Sequence, residues 1–112
     1  MYHYVIRKDL SAPGAVEYQM ILSVADRLTE DLMTGRRNRR FPPELVARVE
    51  RKLKMIEAAA QLSDLASPPG NGLHALKDDL AGFHAIKIND QWRIVFRWTE
   101  AGAEDVRVVD YH

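Results

Sequence analysis

The sharpest pattern in the chain has a period of two. Trp92, Ile94, Phe96 and Trp98 alternate with Arg93, Val95 and Arg97, the spacing of a strand with one face turned inward. Phe83 to Asn89 is a second strand candidate and Asp105 to Tyr111 a third. The loop Thr99 to Ala103, with Gly102, joins the last two as a hairpin. Upstream the period becomes helical. Ala25 to Thr34 predicts a short helix with Leu28, Leu32 and Ala25 inward and Gly35 as its stop. Pro42-Pro43 opens a longer helix, because proline is tolerated in a first turn. Leu45, Val46, Val49, Leu53, Ile56 and Ala60 form its apolar stripe. Gln61 to Ala66 reads as one more helical turn and Pro68 to Gly72 as a loop. Two helices followed by a small antiparallel meander predict an α+β fold.

Residues 1–19 stand apart from this body. Tyr2, Tyr4 and Ile6 alternate with His3, Val5 and Arg7, and Ser11-Ala12-Pro13-Gly14 breaks the run. Met20 to Val24 is a second apolar start, readable either as a strand or as the true translation start. The chain therefore divides into an extension, 1–19, that is either a short strand or a misassigned start, and a domain, 20–112. A length of 112 residues with 46% apolar content suits one globular core. The absence of cysteine excludes disulfides and thiolate metal sites. No apolar run approaches the roughly 20 residues that span a bilayer, and no secretory signal is readable. The expectation is a cytoplasmic protein with no membrane association. The four histidines show no ligand spacing, so no metal is expected.

A net charge of zero conceals a basic window. Between Gly35 and Lys54 eight basic residues face two acidic ones, an excess of six positive charges. Arg36, Arg37, Arg39 and Arg40 lead that run, an asymmetry that allows contact with a polyanion on one side, although a charge run alone is more often a solvated helix face. In the strands, Lys87, Arg93, Arg97 and Arg107 all oppose the core parity. Aligned, they gather on one sheet face, which suits phosphate or is simply a wet outer face. The last strand ends in Asp110-Tyr111-His112, an acid, a phenol and an imidazole. An α-carboxylate beside a terminal histidine favours imidazolium.

Taken together, these residues carry a resemblance. The run Pro68-Pro69-Gly70-Asn71-Gly72-Leu73, then Leu76-Lys77, then Ile88-Asn89-Asp90-Gln91-Trp92-Arg93-Ile94, then Val109-Asp110-Tyr111-His112, resembles the HigB-type toxins of the RelE/ParE superfamily. Met20-Ile21-Leu22-Ser23 resembles the family's opening strand, so the likeness runs from about Met20 onward. It implies two N-terminal helices packed on a small twisted antiparallel sheet. It implies a toxin of a type II toxin–antitoxin system that cuts mRNA in the ribosomal decoding site without metal or other cofactor. Its implied partners are the ribosome with translated mRNA and a HigA-like helix-turn-helix antitoxin, through which alone it reaches operator DNA. By position, the family's functional residues fall on His74, Lys77, Arg93, Asp110, Tyr111 and His112. Asp78 departs from the pattern, standing where glycine is usual; its carboxylate is placed to pair with Lys77 and to repel RNA.

The chemistry can be argued separately. Metal-free RNA cleavage needs a base for the 2′-OH, an acid for the leaving 5′-oxygen and cations for the phosphorane. His112 and His74 are the candidate imidazoles for proton transfer, with Lys77 assisting the latter; Arg93 is a fixed cationic fork; Asp110 is suited to orient His112, and Tyr111 to stack on a base or donate a hydrogen bond. Which group is base and which acid stays open. Strict alternation puts Asp110 and His112 on one side of the last strand and Tyr111 on the other, so a common site needs both sides accessible at its end. Two rival readings are a ParE-type gyrase inhibitor and a degenerate toxin acting only through antitoxin and operator.

Overall fold

The computed structural model describes Tyr4–Val5 and residues 19–111. In order, the elements are β1 (Tyr4–Val5), β2 (Ser23–Val24), α1 (Arg27–Thr34), α2 (Val46–Ala58), β3 (His74–Ala75), β4 (Phe83–Lys87), β5 (Trp92–Thr99) and β6 (Gly102–Asp110). Short 3₁₀ turns occupy Pro43–Leu45, Leu62–Ala66, Pro69–Asn71 and Asp78–Leu80. The strands form one sheet in the order β1-β2-β6-β5-β4-β3. The meander β3 to β6 is antiparallel, whereas β2 lies parallel to β6, with Val24 opposite Val106. The sheet is thus mixed at one junction and the fold is α+β.

Helix α1 starts where the Asp26 side chain accepts the Thr29 N–H at 2.9 Å and stops at Gly35, whose φ of 77° favours glycine. Every residue from Leu28 to Met33 is buried, a wider inner face than the Leu28/Leu32 period alone indicates. Thr29 explains part of the difference: its hydroxyl accepts the Val108 N–H at 2.8 Å and ties α1 to β6. The paired prolines are absorbed in the 3₁₀ turn before α2. Val49, Leu53 and Ile56 are fully buried, but the helix ends at Ala58, so Ala59 is inside and Ala60 exposed. The main core lies between these helices and the sheet face bearing Ile86, Ile94, Phe96, Val106 and Val108. The opposite face is not simply wet: Phe83, Ala85 and Val95 form a second, smaller core with Leu76 and Val109. A register shift between Val95 and Arg97 interrupts β5, opposite Asp105 with its φ of 51°.

The entry into β2 is pinned from two sides. The Glu57 carboxylate accepts the N–H groups of Gln19, Met20 and Ile21 at 2.8 to 3.0 Å. The Met20 carbonyl accepts the Ala103 N–H at 2.7 Å. Among the described residues, no helix is long and apolar enough to cross a membrane.

Candidate functional site

The turn between β4 and β5 builds the site. The Asn89 side-chain oxygen accepts the N–H groups of Gln91 and Trp92 at 2.9 and 2.7 Å, a local cap that fixes the turn. Arg93 folds back to donate to the carbonyls of Asn89 and Trp92. Gln91 holds the end of β6 twice: its carbonyl accepts the Tyr111 N–H at 2.6 Å, and its amide donates to Asp110 Oδ2 at 3.0 Å. The Asn89–Arg93 block is therefore a clasp on the residues leading into His112.

Two of the sequence-derived candidates, Arg93 and His74, meet at a third, Tyr111. The Arg93 guanidinium carbon lies 5.3 Å from the Tyr111 ring centroid, a cation–π contact. The His74 ring stands edge-on to Tyr111 with centroids 6.5 Å apart. His74 sits on the edge strand β3, exposed, with Nδ1 3.0 Å from the Gly72 carbonyl. A carbonyl only accepts, so Nδ1 carries the proton; in the neutral ring Nε2 then presents a lone pair. Lys77 and Asp78 join His74 and Tyr111 in lining a hollow of about 360 Å³. No ion pair joins Lys77 to Asp78 among the described residues, so the expected pairing is not found. Asp78 adopts φ 57°, a left-handed conformation in which aspartate is among the better-tolerated side chains.

Asp110 lies on the other side of the strand end, lining a hollow of about 760 Å³ with Asp26, Arg39, Arg40, Gln91 and Trp92. Asp110 and Tyr111 are both exposed and line different hollows, so each side of the end of β6 is accessible, but the two side chains do not share one site. His112 lies outside the described residues, as does His3.

The remaining cations are distributed more widely. Arg97 shares the outer face with Arg93 and packs over the Phe83 ring at 4.7 Å, while Arg107 pairs with Val95 and keeps a buried, unpartnered Nε. Lys87 pairs with Asp90 at 2.8 Å, and that hydrogen bond and charge hold the Asp90 carboxyl below the usual carboxylate range. Arg36, Arg37 and Arg39 line a groove of about 890 Å³ beside Phe41 and Glu50; none of Arg36, Arg37, Arg39 and Arg40 reaches the His74 hollow. Sequence reasoning missed that Arg48, Arg51 and Lys52 of α2 meet Lys87 in a groove of about 470 Å³. Burial first, then Arg48 and Arg51, lower the Lys52 pKa from its ordinary value. Its ammonium donates to the buried Asn71 side chain, whose amide donates to the carbonyls of Leu65 and Ser67 at 3.1 and 3.3 Å. The helical polar face carrying Arg48, Arg51 and Lys52 was the available signal, but only the fold brings it against β4.

Residues 23–112 match the family described as RelE-like toxin of type II toxin-antitoxin system HigB. The chain is 34% identical over 85 residues to a Vibrio cholerae protein named Toxin HigB-1, covering 75% of this chain and 90% of that one. It is 31% identical over 71 residues to a Proteus vulgaris protein named Endoribonuclease HigB, covering 63% and 76% respectively. An uncharacterized protein of Haemophilus influenzae is 33% identical over 64 residues, 57% of this chain and 63% of that one.

Proposed function

This chain belongs to the HigB-type toxins of type II toxin–antitoxin systems, which implies an antitoxin partner, and from that membership we propose that it is a ribosome-dependent, metal-independent endoribonuclease of mRNA. The observation that carries the reading is the meeting of His74, Arg93 and Tyr111 at the clasped end of β6, directly before His112. The Proteus vulgaris relative's name, Endoribonuclease HigB, supports the same activity.

In the proposed reaction a base removes the proton from a ribose 2′-OH. The O2′–P bond forms as the P–O5′ bond breaks, and an acid returns a proton to O5′. The products are a 2′,3′-cyclic phosphate and a 5′-hydroxyl. His74, through Nε2, and His112 divide the base and acid roles. Arg93 and Lys77 bear on the phosphorane charge, since fixed cations aimed at developing charge stabilise a transition state more than a ground state. Tyr111 stacks on a base, and Asp110, steadied by Gln91, orients His112. Arg97, Lys87 and the Arg36, Arg37, Arg39 and Arg40 group hold more distant phosphates of mRNA or ribosomal RNA. So exposed a site gains its orientation from the ribosome, which holds the codon in place. The antitoxin is of the HigA-like helix-turn-helix kind, operator DNA is reached only through it, and the site of action is the cytoplasm.

The test is primer extension on an mRNA in a purified translation system, with wild type and His112→Ala compared. Cuts within translated codons are expected for wild type only, with a loss of about 10² to 10⁴ in the variant, and no cuts without ribosomes. Intact mRNA with a folded, growth-inhibiting wild type would overturn the reading in favour of gyrase.

A further inference from the structure

Among the described residues two large apolar side chains are exposed, Leu80 at 36% and Tyr111 at 40%. Both line the same hollow, with His74, Lys77 and Asp78. Its volume of about 360 Å³ lies within the range of small-ligand sites, about 300–1,000 Å³. Exposed apolar surface confined to one hollow beside a cationic fork suits a planar heterocycle attached to a phosphate. Asp78 adds a second, independent feature. Its carboxylate is exposed at the rim of the hollow with no hydrogen-bond or ion-pair partner among the described residues, free to meet a ligand there, and it is carried on a left-handed backbone, φ 57°. Non-glycine residues in that region are uncommon and collect at ligand sites.

An ionised carboxylate only accepts hydrogen bonds. Uracil offers one N–H between two carbonyls, which a carboxylate repels. Adenine and cytosine each offer an amino group beside a ring-nitrogen acceptor. Guanine alone offers two adjacent donors, N1–H and the 2-amino group, matched to the two oxygens of one carboxylate. Lys77, which lines the same hollow, and Arg93, which lies against the Tyr111 ring, offset the repulsion between Asp78 and the neighbouring phosphates.

We infer that the hollow between His74, Leu80 and Tyr111 is a nucleobase pocket in which Asp78 selects guanine in the RNA substrate. The inference deepens the nuclease reading and rests on it for the identity of the ligand as RNA. Binding can nevertheless be measured without cleavage. The probes are 2′-O-methyl trinucleotides, which lack an attacking hydroxyl, with G, A, C or U at the centre between uridines. They are titrated at low salt into the full chain while amide signals are followed by NMR. The guanine probe is expected to bind about tenfold more tightly than the others, the discrimination of one bidentate pair. Asp78→Asn, nearly the same size and tolerant of a left-handed backbone, is expected to erase that difference. Equal binding of all four probes, no binding, or a guanine preference retained in Asp78→Asn overturns the inference. Ribosomal cleavage without guanine bias in the cut codons overturns the pocket and leaves the nuclease standing. Guanine-selective binding without any cleavage does the reverse.

Discussion

At the residue scale the site is a clasp rather than a triad. Tyr111 is gripped through its backbone by Gln91 and through its ring by Arg93 and His74. If stacking is its task, Tyr111→Phe keeps cleavage within roughly tenfold of wild type, whereas Tyr111→Ala loses the one to three kcal/mol typical of a base–aromatic contact, roughly 5- to 150-fold. Single-turnover cleavage on programmed ribosomes separates the two; equal losses would point to the hydroxyl instead. His74, Arg93 and Tyr111 were singled out by the family resemblance rather than by residue type alone, since an isolated histidine after a loop reads as a surface residue; their proximity came only with the fold. The role of Asn71 was not legible, since its Pro/Gly setting reads only as a loop, yet it is fully buried and satisfies Leu65, Ser67 and Lys52. Asn71→Ala strands those groups and should cost about 1–3 kcal/mol in urea unfolding. Lys52 gives that network a pH signature. Its folded pKa is lowered, so between that value and the ordinary 10.5 the unfolded chain binds more protons and stability rises with pH. Lys52→Gln should remove this component, seen as a flatter dependence of the urea midpoint on alkaline pH.

At the element scale, the period-two strands and the period-3.6 helices were readable from the sequence, because each pattern reports on one local face. The parallel seam between β2 and β6 was not, since nothing in a two-residue strand announces a partner some 80 positions away. That seam depends on close backbone approach. A Cβ on Gly102 would sit 2.1 Å from the Met20 carbonyl oxygen, and Gly102 has φ 138°, so nothing but glycine fits. Gly102→Ala must move either β6 or the Met20 strand entry and should destabilise by about 2–4 kcal/mol in thermal unfolding. The Glu57 carboxylate, which accepts the N–H groups of Gln19, Met20 and Ile21, secures the same entry from α2. A Gly102→Ala protein as stable as wild type would mean that the strand entry gives way at little cost. The small core on the outer sheet face was hidden for another reason: Phe83, Ala85 and Val95 share their parity with Lys87, Arg93 and Arg97, and alternation alone reads such a face as polar.

At the scale of the molecule, zero net charge is a sum of opposed regions. The Gly35–Lys54 window holds an excess of six positive charges, so the rest of the chain carries an equal negative excess. A basic window of this size presents a polyanion with a local attraction that the zero net charge hides. The structure places the Arg36, Arg37 and Arg39 groove and the Asp110 hollow next to each other, with Arg39 shared between them, while His74 and Lys77 lie across the end of β6. In the proposed function the arginine loop therefore anchors RNA at a distance, and the His74 side does the chemistry. The two contributions are separable by salt. Each arginine that neutralises a phosphate adds about 0.7–0.9 to the slope of log affinity against log salt. Replacing Arg36, Arg37, Arg39 and Arg40 with glutamine should lower that slope for ribosome binding by up to about three and weaken binding at low salt. His74→Ala should leave the slope unchanged to within one contact while removing cleavage. Equal slopes in wild type and the four-arginine variant would detach the basic loop from RNA and assign it to the antitoxin instead.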